Sequence, residues 1–569
     1  MRPSHRAALL ALLVPAGLSA QGAPLPLKYA PRPTSPEITA ADLMTRLYIY
    51  ADDSLMGRRA GTLYDLKATD YIAREARAMG LVPAGDSGTY FQDVPLVSTT
   101  TDTASTLVVA GTTLKVFDDF VLRRLRGGPA RSLDGAPVVF GGPIDGTEAP
   151  PPDVVRGALV VMGPSRNPGP NTRVQLGALL ARFGTAAGLA FPGLERLPPQ
   201  ARAGERAPQL SMAGAGGAAA ESSLSFVQIT TAAAERLLGT PLDSAKVGAT
   251  GRTVQAHLIF HAESAPARNV IALVPGRDRK LKGEYVAIGA HNDHIGFNTA
   301  PVDHDSLRIW NHIVRPEGAD DGGKQAMPAQ QAEADSLLAL WRAAHPGTSR
   351  QDSIYNGADD DGSGTVSVLE MAQKIASLHT KPKRSILFVW HTGEELGLLG
   401  SRWFTDHPTV PRDSIVAQLN IDMIGRGDAD DEVGRTKDGT PIHGGPDYLQ
   451  LVGSRRLSTE LGDLVETVNR EDHHGLAFDY SIDANGHPAN IYCRSDHYSY
   501  ARFGIPVVFF TTGIHSDYHQ VTDEPQYIDY ARMARVASLI EDIAVHVADL
   551  DHRVVVDHPK PDPNAACRQ

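Results

Sequence analysis

The sequence has 569 residues, of which 42% are hydrophobic and 21% charged, and its formal net charge is −12. This composition is typical of a globular protein and excludes a disordered chain, and the length favours two or more domains over one compact core. No stretch concentrates Lys and Arg, so a nucleic-acid-binding surface is excluded as well.

The N-terminal segment has the layout of a secretory signal peptide. Two arginines precede an apolar run from Ala7 to Leu18, and small residues follow at Ser19 and Ala20. The run is shorter than the ~20 residues of a membrane span. Residues 1–20 are therefore predicted to be a signal peptide, and the protein to be exported to the periplasm or the medium without a membrane span.

The chain has two cysteines, Cys493 and Cys567. They permit one disulfide in an oxidising compartment, and the sequence leaves open whether they pair. So few thiols exclude a disulfide scaffold and a thiolate zinc site. Any metal must therefore be held by histidine and carboxylate side chains.

The first part of the chain changes character twice. Residues 21–39 form a Pro-rich linker, and residues 40–100 begin with apolar positions at helical spacing, which predicts helices that belong to the main domain. Residues 101–256 are rich in Gly, Ala and Pro, with short β-like runs such as APVVFGG and GALVVMG. This change predicts a small β-rich domain inserted into the main one.

From Asn269 onward, short apolar runs such as YVAIGAH, SILFVWH and VVFFTTG lie among helical stretches. Strands buried on both faces and separated by helices predict an α/β fold, with a mostly parallel central sheet sandwiched by helices. This domain is assigned to residues 257–552, with a long insertion at 297–355. The tail at 553–569 is expected to be flexible.

Polar side chains follow the carboxyl ends of the predicted strands, where open α/β sheets build their sites. His291, Glu395 and Asp422 each come after such a strand, and the string GADDDGSG precedes a helix. Capping of that helix explains one of its three aspartates, not all of them. Imidazole and carboxylate ligands suit zinc and similar divalent ions, and two ions ~3.5–4 Å apart can share a bridging carboxylate.

Five motifs occur in a family-specific order: GAHNDHIG, GADDDGSG, HTGEELGLLGS, NIDMIGR and DYHQVTD. With this set, the chain resembles the co-catalytic di-zinc aminopeptidases and their glutamate carboxypeptidase-like relatives. The resemblance covers about residues 257–550 and the preceding helices, and the inserted β-rich segment resembles a protease-associated domain.

The resemblance implies two zinc ions and a set of five ligands. One ion would be bound by His291 and Asp422, the other by Glu395 and His519, and Asp360 would bridge them. The same motifs set aside three nearby histidines as ligands, namely His294, His391 and His515.

The resemblance also implies three residues that act in catalysis. Glu394 would be the general base, taking a proton from the attacking water and delivering it to the leaving amine. The carboxylate of Asp293 would orient the imidazole of His291. Tyr518 would hydrogen-bond the tetrahedral oxyanion.

A second acidic string, GADDGGK, starts at Gly318 inside the insertion. It is followed by QAMPAQQ, with Lys324 closing the string and Pro328 soon after, and we interpret it as a loop or turn on the rim of the pocket that binds no metal. The insertion itself is unusual in length and is expected to lie over or beside the metal site.

The predicted function is an exported zinc-dependent exopeptidase, an aminopeptidase that removes N-terminal residues from peptides. The alternatives are a glutamate carboxypeptidase-like hydrolase, a single-zinc glutaminyl cyclase and, outside enzymes, a receptor-like protein that binds through its protease-associated domain. Arg426 is available to an amino- or a carboxypeptidase, so the terminus that is recognised stays open. Side-chain preference and oligomeric state stay open too.

Overall fold

A computed structural model describes residues 25–124, 131–166, 176–197, 202, 204–213, 224–347 and 349–569. The predicted signal peptide at 1–20 lies outside these ranges. Within them, the structure has no helix that combines the length and apolar character needed to cross a membrane.

The main domain is built on a large sheet whose strands are, in chain order, β1 (Val82–Pro83), β2 (Phe91–Asp93), β3 (Arg268–Val274), β4 (Tyr285–His291), β5 (Ser385–His391), β6 (Ile415–Ile421), β7 (Tyr448–Val452), β8 (Ala477–Asp479) and β9 (Val507–Thr511). Their order across the sheet is β1-β3-β5-β4-β6-β9-β7-β8, and β2 also pairs with β3. Strands β5, β4, β6 and β9 run parallel in the centre. Antiparallel pairs lie toward both edges. The predicted α/β fold is confirmed.

The helices are Ala40–Tyr50, Leu63–Ala78, Pro152–Val155, Leu176–Phe183, Thr231–Leu238, His304–Val314, Pro328–Ala344, Gly364–Ser377, Leu399–Asp406, Thr459–Glu471, His497–Ala501 and Tyr530–Asp549. Three of them, Ala40–Tyr50, Gly364–Ser377 and Tyr530–Asp549, pack together on one face of the sheet. Leu399–Asp406 and His497–Ala501 cover the opposite face. In the last long helix the buried residues recur every three or four positions, and Asp529 caps its first turn.

The predicted β-rich segment forms a second sheet. Its strands are Thr106–Val109, Thr112–Lys115, Phe120–Arg124, Pro137–Pro143, Leu159–Gly163, Gly188–Pro192, Ser225–Ile229 and Thr250–His257. A three-stranded sheet connects it to the main domain, in which Leu96–Thr101 pairs with both Gln209–Met212 and Phe260–Ala265. The resemblance of this unit to a protease-associated domain stays a prediction.

The insertion folds as a unit with its ends held together. Phe297–Asp303 pairs antiparallel with Gln351–Ile354, so the chain leaves and re-enters the main domain at neighbouring points. Between these strands lie the helices His304–Val314 and Pro328–Ala344, joined by a segment that contains the short turn Gly318–Asp321. A separate hairpin of Glu432–Arg435 and Pro441–His443 lies farther along the chain.

The tail at 553–569 is a correction to the predicted organisation. Cys567 forms a disulfide with Cys493, which settles the pairing that the sequence left open. The backbone N–H of the last residue, Gln569, donates to the side chain of Asn490. The end of the tail is therefore fastened to the main domain, because a covalent bond and a hydrogen bond hold it where composition alone suggested flexibility.

Candidate active site

The candidate active site lies at the carboxyl ends of the parallel strands. His291 is the last residue of β4, Asp422 directly follows β6, and Glu394 and Glu395 follow β5. Asp360 lies in the turn before the helix Gly364–Ser377. His519 lies in the loop after β9. The structure thus brings all the sequence-predicted ligands to one edge of the sheet.

The predicted ligands form two groups that share one carboxylate. His291 Nε2 lies 3.1 Å from Asp360 Oδ1 and 3.6 Å from Asp422 Oδ1. His519 Nε2 lies 2.9 Å from Asp360 Oδ2 and 3.0 Å from Glu395 Oε2. Both groups have a spacing suited to a metal ion. Asp360 therefore faces one group with each of its carboxylate oxygens.

The ligand atoms approach one another closely without hydrogen bonding. His291 Nε2, Asp360 Oδ2 and Glu395 Oε1 are buried and have no hydrogen-bond partner of good geometry among the described residues. Buried charges are costly unless they are paired or bind a metal. Imidazoles and carboxylates converging in this way fit divalent cations, and zinc in particular.

The three aspartates of GADDDGSG have separate tasks. Asp361 Oδ2 accepts the backbone N–H of His291 at 2.9 Å, and Asp361 Oδ1 accepts that of Gly364 at the helix start. Asp359 Oδ1 accepts the N–H of Gly425. Only Asp360 belongs to the metal groups, while its neighbours fix the backbone that presents it. The bond between Asp360 and Asp361 is a cis peptide.

Asp293 occupies the predicted place but contacts His291 differently. Its backbone carbonyl lies 3.1 Å from His291 Nδ1, whereas its carboxylate Oδ1 is 3.8 Å away. That carboxylate oxygen accepts the backbone N–H of Glu394 at 3.1 Å instead. The backbone carbonyl of Asp293 is thus the nearer neighbour of the imidazole, and the Asp293 carboxylate also holds the backbone of Glu394. The orienting role of that carboxylate stays a prediction.

The surroundings of Glu394 favour proton transfer. Burial raises the pKa of Glu394 well above its ordinary value; the charge of His291 opposes the rise, and the carboxylates of Asp422 and Glu395 add to it. A general base works best when its pKa lies near the working pH. Glu394 lines the same cavity as Asp360 and Asp422.

Tyr518 stacks its ring on His519, with ring centroids 4.0 Å apart. Burial raises the pKa of the Tyr518 hydroxyl well above its ordinary value, and the Arg494 guanidinium pulls it back down. The phenol therefore keeps its proton at neutral pH and is available as a donor.

The site opens into a cavity of about 360 Å³. Asp360, Asp422 and His519 of the metal groups line it, and the apolar part of its lining comprises Val433, Ile482, Ile491, Phe509 and Ile514. The insertion contributes Asp320 of the turn Gly318–Asp321, and Glu317 just before it, to the lining of the cavity. Asp320 of GADDGGK thus lines the cavity, and among the described residues neither aspartate of that string belongs to a candidate metal group.

Sequence reasoning gave too little weight to His294, which the motifs set aside as a ligand. His294 Nδ1 lies 2.7 Å from Glu395 Oε1, and His294 belongs to the candidate metal group of Asp360, Glu395 and His519. Its position beside Asp293 was the available signal. Ser495 Oγ donates to Asp422 Oδ2 at 2.7 Å, and Asp523 accepts the backbone N–H groups of Asp359 and Asp360.

The sequence of this region matches a known family. Residues 269–544 match the family model described as Peptidase family M28. This part of the chain is therefore similar to peptidase family M28, and it contains all the residues of both candidate metal groups.

Individual relatives are similar over parts of the chain. Leupeptin-inactivating enzyme 1 of Streptomyces exfoliatus is 34% identical over 109 residues, which is 18% of this chain and 25% of that protein. Leucine aminopeptidase 1 of Coccidioides posadasii is 34% identical over 160 residues, 27% of this chain and 36% of that protein. The chain thus spans about a quarter to a third of the length of these curated relatives.

Among solved structures, an aminopeptidase from Aneurinibacillus sp. strain AM-1 aligns with 16% identity over 92% of this chain and 97% of that one, at a TM-score of 0.49. BSAP, a zinc aminopeptidase from Bacillus subtilis, aligns with the same identity over 92% and 99% of the two chains, at a TM-score of 0.48.

Proposed function

We propose that the protein is a di-zinc aminopeptidase that removes apolar N-terminal residues from peptides. The observation that carries this proposal is the pair of metal groups joined at Asp360, with Glu394 lining the same cavity. His291 and Asp422 would hold one ion, and Glu395 and His519 the other. Bound there, two zinc ions would polarise the scissile carbonyl and acidify the attacking water.

In this proposal, proton transfer and hydrogen bonding to the substrate are carried out by side chains of the protein. Glu394 Oε accepts a proton from the attacking water and returns it to the nitrogen of the leaving amine. Its main chain is fixed by the Asp293 carboxylate, so the proton acceptor stays directed at the cavity. The Tyr518 hydroxyl donates to the carbonyl oxygen as that oxygen gains negative charge.

The arginines of the cavity favour an aminopeptidase over a carboxypeptidase. A free substrate carboxylate is bound best by a guanidinium that is not already paired with another carboxylate. Arg435 Nε already contacts Glu317 Oε1 at 2.6 Å, and Arg494 contacts Asp320 at 2.8 Å. Since both arginines are engaged by carboxylates, the cavity is better suited to a substrate that presents an ammonium group.

The apolar side of the cavity suggests which terminal residue it accepts. A side chain of leucine size would be removed from water among Ile482, Ile491 and Phe509. We therefore expect Leu-p-nitroanilide to be cleaved with a higher kcat/KM than the Asp or Lys compound. Cleavage of N-acetylated peptides with release of a C-terminal residue, and not of aminoacyl substrates, would contradict the proposal.

Replacement of Asp293 tests how Glu394 is supported. Asp293→Ala removes the acceptor for the Glu394 N–H. It should lower kcat/KM about tenfold to a hundredfold, which is the usual cost of losing a hydrogen bond that supports a metal site from outside its ligands. Asp293→Asn keeps an oxygen acceptor and should lose clearly less. Steady-state kinetics of the two variants check this, and equal losses would show that the negative charge matters rather than the hydrogen bond.

We also propose that the protein is exported. The predicted signal peptide at 1–20 and the Cys493–Cys567 disulfide both suit an oxidising compartment outside the cytosol. Expression in a bacterial host followed by mass spectrometry of the periplasmic protein should find an N-terminus after Ala20.

A further inference from the structure

We propose that the insertion completes the active site: Asp320 in the turn Gly318–Asp321 holds Arg494, and Arg494 positions the hydroxyl of Tyr518 toward the reacting carbonyl. Asp320 is a positioning residue in this scheme, because it acts through Arg494 and Tyr518. The inference rests on the proposed function and adds to it a task for a segment outside the five motifs.

The turn Gly318–Asp321 contacts the backbone of the loop after β9, which contains Tyr518. The Ala319 N–H donates to the carbonyl oxygen of Tyr518 at 3.1 Å. Gly318 has a φ of 54°, and a Cβ at this position would lie 2.6 Å from that same oxygen. Only glycine permits so close an approach, so the sequence GADD is needed for docking rather than for metal binding.

Side chains extend this contact to the Tyr518 hydroxyl. Arg494 forms a bidentate ion pair with Asp320, in which Nη1 lies 2.8 Å from Oδ2 and Nη2 lies 3.3 Å from Oδ1. Arg494 Nη2 also lies 3.3 Å from the hydroxyl oxygen of Tyr518. The side chains of Arg494 and Asp320 are 30% and 17% exposed, so this pair is shielded better than a surface ion pair.

The direction of these hydrogen bonds leaves the hydroxyl hydrogen of Tyr518 free to be donated to the substrate. A guanidinium has donors and no acceptor. The Tyr518 oxygen therefore accepts from Arg494, and its own hydrogen is left for an acceptor in the cavity. Arg494 thereby fixes the phenol where its O–H can meet the oxyanion, which is the geometry that such stabilisation requires.

The turn is rigid because it is held from two sides. Asp321 accepts the N–H of Glu317 at 2.9 Å and pairs with Lys324 at 2.6 Å. Glu317 in turn pairs with Arg435 of the hairpin Glu432–Arg435 and Pro441–His443. Asp320 is thus presented to Arg494 from a fixed backbone.

Asp320→Ala tests the proposal, with Arg342→Ala as the matched control. Arg342 pairs with Asp303 at 3.2 Å in the same insertion, away from the cavity lining. We expect Asp320→Ala to lower kcat on Leu-p-nitroanilide at least tenfold, with KM changed less than about threefold, because the lost positioning matters only in the transition state. Arg342→Ala should keep the wild-type kcat, and Asp320→Asn should recover part of it. Wild-type kcat in Asp320→Ala would overturn the proposal.

Combination with Tyr518→Phe separates positioning from general damage. If Asp320 acts through the Tyr518 hydroxyl, Asp320→Ala should have little further effect on kcat in the Tyr518→Phe background. Additive losses would overturn the scheme. A crystal structure of Asp320→Ala gives a readout independent of activity: Tyr518 should be displaced, and an unmoved side chain counts against the inference. A wild-type enzyme inactive on all aminoacyl substrates would instead refute the proposed function.

Discussion

Replacing Glu394 with glutamine is expected to lower kcat about a thousandfold while both metal ions stay bound. General acid–base groups contribute about 10²–10⁴ to rates, and in the proposed mechanism Glu394 serves twice, first as acceptor and then as donor. Glutamine has nearly the same volume and can still accept the hydrogen bonds of its surroundings, but it cannot take up the proton of water. The loss should therefore fall on kcat rather than on KM.

Two further measurements show whether the loss is chemical. Metal content by mass spectrometry should equal that of the wild type, since Glu394 belongs to neither metal group. Glu394→Asp keeps a carboxylate but withdraws it from the cavity, and it should keep more activity than Glu394→Gln. A glutamine variant with more than a tenth of wild-type kcat would rule out Glu394 as the general base.

The sequence predicted the centre of the fold better than its edges. Strands β3, β4, β5, β6 and β9 correspond to the apolar runs, because a strand buried on both faces is apolar at most of its positions. Strands β7 and β8 were not predicted; the short β8, Ala477–Asp479, is only partly buried. A short, partly buried edge strand such as β8 has no sequence pattern strong enough to separate it from a loop.

The candidate ligands were predictable because each lies beside a strand end or a glycine-bounded turn that can be recognised in the sequence. Contacts that join distant segments were not. The pairing of Asp320 with Arg494 spans 174 residues, and nothing near either residue points to the other. The choice between the carboxylate and the carbonyl of Asp293 depends on side-chain rotation, which no spacing rule determines.

Asp360→Ala is expected to remove both metal ions at once. Asp360 is the one residue common to the two groups, with Oδ1 toward His291 and Oδ2 toward His519. Each group would lose one carboxylate ligand, and the negative charge of the Asp360 carboxylate between the two groups would be lost as well. Metal content after dialysis should fall from two ions per chain to nearly none, with complete loss of peptidase activity.

The turn itself should survive this substitution, which makes the result interpretable. Asp523 holds the backbone N–H groups of Asp359 and Asp360, and these remain in the alanine variant. The circular dichroism spectrum should therefore match that of the wild type. The Tm of the variant should fall to that of the EDTA-treated wild-type enzyme and should no longer rise when zinc is added, because bound metal stabilises the folded state by mass action.

The second acidic string supplies the matched control. Asp320→Ala alters the same residue type in nearly the same local sequence, but Asp320 contacts Arg494 rather than either metal group. It should keep two ions per chain even where its activity is reduced. Retention of one ion by Asp360→Ala would place Asp360 in a single site and refute the bridge, and retention of both would exclude Asp360 as a ligand. Only the joint loss is consistent with a carboxylate that each metal group needs, because a residue of one group alone could not empty the other.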